Sequence, residues 1–163
     1  MNLIERILPR EANNNYQGSR IAFYGFVLFT AVMTFRSLVH LLFEDAGLNS
    51  IGNMVIFEAD EPDPNQALYL FGSLWGLQQL LMCVVQVVVI IRYRSLTSLM
   101  LFLLLLEWLA RPILVGGLLH PLGEAYFESP APGAVGAWPI VILLSALLVF
   151  SLRRPAEREA TAS

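Results

Sequence analysis

The sequence predicts an all-α protein: a four-helix bundle that spans a membrane, with both termini cytoplasmic. Three observations predict it. Four long apolar runs, about 20–43, 67–91, 96–119 and 135–152, fill most of the 163 residues. Only 14% of residues are charged and 56% are hydrophobic, against about 25% charged in an ordinary soluble domain. The arginines crowd one set of run ends: Arg6, Arg10, Arg20, Arg92, Arg94, Arg153, Arg154 and Arg158. A span needs about 20 mostly apolar residues, and in lipid only helices or closed barrels satisfy every backbone group. The runs are continuous, without the alternation of a barrel strand, so helices are expected.

Charge sidedness sets the expected topology. Lys and Arg favour cytoplasmic loops. Lysine is absent, and the loops 44–66 and 120–134 hold no arginine. They carry Glu44, Asp45, Glu58, Asp60, Glu61, Asp63, Glu124 and Glu128 instead. A single membrane domain covering 1–163 is expected in the plasma membrane, with 44–66 as an acidic outer loop.

Taken in order, Leu3, Ile4, Ile7 and Leu8 recur at helical spacing before Pro9, which reads either as a short interfacial helix or as a frayed tail. The first run starts twenty residues in and has no small-residue cleavage pattern after it, so it reads as a retained helix and not as a signal peptide. The outer loop is partly apolar at Ile51, Met54, Val55 and Phe57, so it either lies on the membrane or folds over the bundle. Its strip from Glu58 to Asn65 lacks the spacing of a calcium loop and reads as a solvated acidic segment.

The second run carries a stripe of Gly72, Gly76, Gln79, Cys83 and Gln86, opening with a small-xxx-small contact that lets two helix backbones approach. The turn at Arg92-Tyr93-Arg94-Ser95 is short, so the second and third runs should be antiparallel neighbours. Pro112 is expected to bend the third run. The segment Ser129-Pro-Ala-Pro-Gly133 is turn chemistry leading into the fourth run, where Trp138 suits a membrane interface. The lone Cys83 allows no intramolecular disulfide.

Ionisable groups inside a bilayer cost about 2.5–3.5 kcal/mol each on insertion scales and are functional candidates by default. Taking 1.5 Å per residue, Arg36 and Arg111 lie roughly 10–12 Å below the outer boundary, Gln78, Gln79 and Glu107 roughly 16–18 Å, and His40 about 5 Å. Three helices thus place polar groups in one layer. Gly25, Phe29, Arg36, His40 and Phe43 share a face of the first run. Glu107 and Arg111 are one turn apart in the favourable order for an ion pair.

Arg36, His40, Gln78, Gln79, Glu107 and Arg111 are therefore the candidate ligand-binding residues. Each has a plainer reading. Arg36 can snorkel to headgroups, Glu107 and Arg111 can be a structural clasp, Gln79 and Gln86 can be interhelical glue, and His40 can be an interfacial residue. Two histidines without a third clear ligand predict no metal site, and no cofactor is expected. Glu107 cancels Arg111 and leaves Arg36 without a deep anion. The residual positive charge suits a carboxylate, phosphate or enolate-like group, which arginine holds with paired hydrogen bonds.

The strings Arg36-Ser-Leu-Val-His40-Leu-Leu, Gly76-Leu-Gln78-Gln79-Leu-Leu and Arg92-Tyr-Arg94-Ser95-Leu, followed by a Glu and an Arg in the next helix, resemble a group of small uncharacterised prokaryotic membrane proteins. That group is similar to the broad DoxX-like class of four-helix proteins. The resemblance covers most of the chain and implies a four-helix bundle, with no activity to carry over. Four-helix sterol isomerase-like proteins are a more distant comparison. They enclose acidic residues, whereas the deep set here has two arginines and one glutamate, which weighs against carbocation chemistry.

Three functions remain open on the sequence. One is a binding or transport-accessory protein for a small amphipathic anion or lipid headgroup. Another is a non-catalytic scaffold or accessory subunit in a homo-oligomer or larger membrane complex. The third is an enzyme on a lipid-soluble substrate, with Glu107 or His40 as acid/base. Membrane lipid is an expected partner and nucleic acid is not.

Overall fold

A computed structural model describes residues 3–58 and 61–153. Asp60 of the acidic strip, and Arg154 and Arg158 of the arginine set, lie outside the described residues. The elements are α1 (Leu3–Ile7), α2 (Arg20–Leu42), α3 (Pro64–Arg92), α4 (Thr97–Ala110) and α5 (Pro132–Leu152). A π-helix, Arg111–Leu119, continues α4. Four stretches, Arg20–Leu42, Pro64–Arg92, Arg94–Leu119 and Pro132–Leu152, are long and apolar enough to cross a membrane.

Two helices begin earlier than the apolar runs indicate. Asp63 caps α3 by accepting from the Asn65 backbone N–H at 2.8 Å, with Pro64 at the first helical position. Pro132 does the same for α5. Proline is pre-set for a first turn, where its missing N–H costs nothing, and both proline-led starts lie before the apolar runs at 67 and 135. Ser19 caps α2 through a 3.2 Å bond from the Ile21 N–H.

The third long apolar helix changes winding at Pro112. Proline has no N–H to donate four residues back, and its ring crowds that carbonyl. From Arg111 the turns widen to the π pattern, closing with His120 N–H to Val115 O at 2.8 Å. Where a bend is expected at Pro112, the helix changes from α to π winding.

The α2 and α3 helices pack most closely, followed by α4 on α5 and α5 on α2. The reason lies in the α3 stripe. Gly72, Gly76, Gln79, Cys83 and Gln86 are all buried, and a Cβ on Gly76 would stand 2.8 Å from the His40 carbonyl carbon. By contrast α3 and α4, joined by the short turn, touch only slightly and leave a cleft. The core between α2, α4 and α5 is filled by Phe26, Phe29, Leu101, Trp108, Leu144 and Leu147.

Both ends of the bundle are covered. At the end bearing Arg20, Arg92, Arg94 and Arg153, the segment before α2 crosses the helix ends. Asn13 and Ser95 exchange two bonds of 3.0 Å, from the Asn13 N–H to Ser95 Oγ and from the Ser95 N–H to Asn13 O. Leu3, Ile4 and Leu8 of the α1 region point outward. At the acidic end the two loops are zipped together by Val55 N–H to Tyr126 O at 3.1 Å and Glu128 N–H to Asn53 O at 2.8 Å. Ala46 and Leu48 of the first loop pack against Gly72 of α3, while the Phe57 ring packs against that of Tyr126 in the second loop.

Candidate functional site

Three helices bring the polar layer together. Arg36 projects from α2, Trp75 and Gln79 from α3, and Glu107, Trp108 and Arg111 from α4 and its π continuation. Arg36 turns inward. Its guanidinium carbon lies 4.9 Å from the Trp75 ring centroid and 5.8 Å from that of Trp108. Arg111 sits against the same two rings, at 5.1 and 4.7 Å. Two cations thus share two indole faces, which attract cations through their quadrupoles.

Arg111 is otherwise well held. It forms the ion pair with Glu107 one turn earlier. Gln79, with its amide oriented to suit both neighbours, accepts from Arg111 Nη2 at 3.1 Å and from Trp75 Nε1 at 2.8 Å. The Gln79 oxygen therefore ties the arginine to the indole that stacks on it.

Arg36 has no such partner set. It makes no ion pair among the described residues, and its Nη1 is buried without a hydrogen bond. Trp108 is only 3% exposed, and its Nε1 is likewise buried and unpartnered. An unsatisfied buried donor costs about 1–3 kcal/mol, more when charged. The layer holds two guanidiniums and one carboxylate, so donors and positive charge are both in excess. The start of α5 comes close as well: a Cβ built on Gly133 would stand 4.0 Å from Arg36 Nη2.

His40 is buried at the edge of this layer. Its Nδ1 donates to the Ala46 carbonyl at 2.7 Å and its ring centroid lies 4.8 Å from that of Trp75. The residue pins the acidic-end loop, whose chain reverses at Ala46 and Gly47 with φ of 50° and 67°. Asp45 organises that reversal by accepting from the backbone N–H groups of Gly47, Asn49 and Ser50. Burial alone would raise the Asp45 carboxyl, but these bonds hold it below the usual carboxylate value.

Of the six sequence candidates, Arg36, Gln79, Glu107 and Arg111 meet in the cluster, and His40 borders it through Trp75. Gln78 is exposed and turns to the cleft between α3 and α4. Phe43, placed on the inward face of the first run, is exposed. Gln86 is used as interhelical glue, accepting from Thr30 Oγ1 at 3.0 Å. Sequence reasoning missed Trp75 and Trp108. Their spacing carried a signal: Trp75 is four residues before Gln79, and Trp108 three before Arg111, so both share a helix face with the polar residue they contact.

The cleft between α3 and α4 encloses a cavity of about 380 Å³. Trp75, Gln78, Gln79 and Glu107 close one end, and Gln86 lies deeper. Arg36 and Arg111 do not line it. Among the described residues no three His, Cys, Asp or Glu side chains gather to hold a metal ion. No family model matches this chain, and no curated protein or solved structure does.

Proposed function

We propose that this chain is a multi-pass membrane protein, its arginine-bearing end cytoplasmic, whose Arg36–Arg111 cluster binds a small amphipathic anion or lipid headgroup. The observation that carries the reading is the pair of buried, unpartnered donors, Arg36 Nη1 and Trp108 Nε1. They sit in a layer with one more cation than anion. A purely structural clasp would be expected to close its hydrogen bonds internally, because buried polar groups are nearly always paired. An anion accepting from these donors would satisfy both and neutralise the residual charge. Arg36 is the principal contact in this account, because Arg111 is already engaged by Glu107 and Gln79.

The proposed orientation rests on the arginine asymmetry between the two ends. It places the cluster in the outer leaflet, nearer the acidic loops. In a Cys83→Ser background, an impermeant thiol reagent on intact cells should label Glu61→Cys and spare Ser163→Cys. The opposite pattern would invert the topology.

Dodecyl phosphate tests the binding reading. Added to the protein in a neutral detergent, it should raise the unfolding temperature, since a ligand at a hundredfold its Kd stabilises by about 2.7 kcal/mol. Arg36→Lys keeps the charge and the apolar stem but removes the planar fork. The variant should fold and lose the response. An equal response in Arg36→Lys would reduce Arg36 to a simple cationic anchor.

A further inference from the structure

The cavity between α3 and α4 has a chemistry different from the arginine cluster beside it. Its polar end presents the Glu107 carboxylate and the side chains of Gln78, Gln79 and Trp75, and no cationic residue lines it. Below that end its walls are Met33, Met82, Cys83, Met100, Leu103 and Leu104, with Gln86, whose side-chain oxygen is taken by Thr30, the one polar side chain among them. Three of the five methionines in the chain therefore face one space. Methionine is flexible and polarizable and adapts to irregular apolar shapes. At about 380 Å³ the cavity falls within the usual range for small-molecule sites, about 300–1,000 Å³. An apolar body with a polar head at one end matches this shape.

Charge decides which head. An anionic head would meet the Glu107 carboxylate at the cavity wall itself, whereas Arg111, its ion-pair partner, and Arg36 lie behind that wall and cannot reach the head directly. A cationic head would meet a carboxylate already paired with Arg111, in a layer that Arg36 leaves net positive. A neutral head avoids both costs. The carboxylate is acceptor-only when ionised, and the Gln78 amide offers both donor and acceptor. A hydroxyl can donate to Glu107 and accept from Gln78 at once. Gln78 is exposed on α3 and holds no hydrogen bond to another described residue, so it is free to serve a ligand.

We propose that this cavity is a second site, for a neutral lipid-soluble alcohol or phenol, with its hydroxyl between Glu107 and Gln78 and its apolar body among Met82, Met100 and Leu103. The site goes beyond the anion reading and does not rest on it. The α3–α4 cleft also supplies an entry path from the lipid, since Gln78, Met82 and Leu103 on its rim are exposed.

Photolabelling the full chain in phosphatidylcholine nanodiscs tests the site. Three probes share one diazirine-bearing alkyl chain and differ in head: hydroxyl, carboxylate or primary amine. The hydroxyl probe should label Met82, Met100 or Leu103 saturably and be competed by unlabelled hexadecanol. Its preference over the other two should be about tenfold, as for one hydrogen bond to a charged group. Leu103→Trp fills the cavity and should abolish this labelling. If Leu103→Trp does not fold, Gln78→Leu, a change at an exposed position, carries the test and should remove most of the preference for hydroxyl. Equal labelling by all three heads would mean that bulk lipid fills the cleft, and preference for the carboxylate or amine would overturn the charge argument. Labelling unchanged in the variant that folds would also overturn the site. Dodecyl phosphate stabilisation, measured on the same protein in a neutral detergent, reports the arginine cluster separately. Failure there leaves the alcohol result standing, and failure here leaves the anion reading standing.

Discussion

Arg36 and Arg111 lie against the face of one indole, that of Trp75, with guanidinium carbons 4.9 and 5.1 Å from its centroid. Two like charges at one ring repel each other, and a single carboxylate, Glu107, is paired to the second of them. The ring and the Gln79 oxygen are what make the arrangement tolerable. Trp75→Phe keeps an aromatic face but loses the Nε1–H bond to Gln79, which should cost about 1 kcal/mol. Trp75→Leu also removes both stacking contacts and should cost about 2 kcal/mol more. Unfolding in mixed micelles measures both; equal losses would show that the stacking contributes nothing.

Glu107 and Arg111 should prove mutually dependent. Breaking a buried pair typically costs about 3–5 kcal/mol because a lone charge is left behind. The Glu107 side chain is 41% exposed, so the lower end of that range is expected for Glu107→Gln or Arg111→Leu. The double variant should lose clearly less than the sum. Additive losses in a double-mutant cycle would dissolve the pair.

Close approach of α2 and α3 predicts a sharp contrast among glycines. A Cβ on Gly76 would lie 2.8 Å from the His40 backbone, whereas one on Gly123 meets nothing within 4 Å. Gly76→Ala should destabilise by about 1–3 kcal/mol through overpacking, displacing the helix that carries Arg36. Gly123→Ala should stay within about 0.5 kcal/mol of the wild type. Thermal or denaturant unfolding of the two variants side by side checks this.

The acidic-end loop should be sensitive to acid. The Asp45 carboxyl titrates below its usual value in the folded chain, so the folded state binds its proton less readily than the unfolded state does. Its stabilisation is therefore full above the ordinary carboxylate value of about 3.9 and fades as pH falls through the lowered folded value. Amide exchange at Gly47, Asn49 and Ser50, corrected for the intrinsic effect of pH, should speed up only in that acid window. Asp45→Asn should remove the step, and an unchanged profile in that variant would assign it to another group.

Much of this architecture was legible from composition and periodicity. The four long apolar helices follow from apolar run length, and the α3 stripe follows from small and polar residues repeating every three or four positions. The polar layer followed from counting helical rise to Arg36, Gln79, Glu107 and Arg111. Other features depend on tertiary packing. The short turn at 92–95 leads to the expectation that α3 and α4 are antiparallel neighbours, but they touch only slightly, because Gly76 draws α3 onto α2 and leaves a cleft on the other side. The spacing of Trp75 to Gln79 and of Trp108 to Arg111 marks a shared helix face, but it does not say that an indole face serves there as a cation platform. Pro112 announced a disturbance without specifying a π-helix, since a proline in a helix can also kink it. His40 looked like a member of the cluster, yet its Nδ1 is committed to a loop carbonyl six residues ahead.

In the proposed complex an anion completes the hydrogen bonds of Arg36 Nη1 and Trp108 Nε1. The indole N–H resonance of Trp108, assigned through Trp108→Phe, reports this most directly during titration with dodecyl phosphate in a neutral detergent. A saturable shift is expected in the wild type, absent with dodecanol and lost in Arg36→Lys. A Trp108 resonance that ignores dodecyl phosphate, or one that shifts equally in Arg36→Lys, would contradict it.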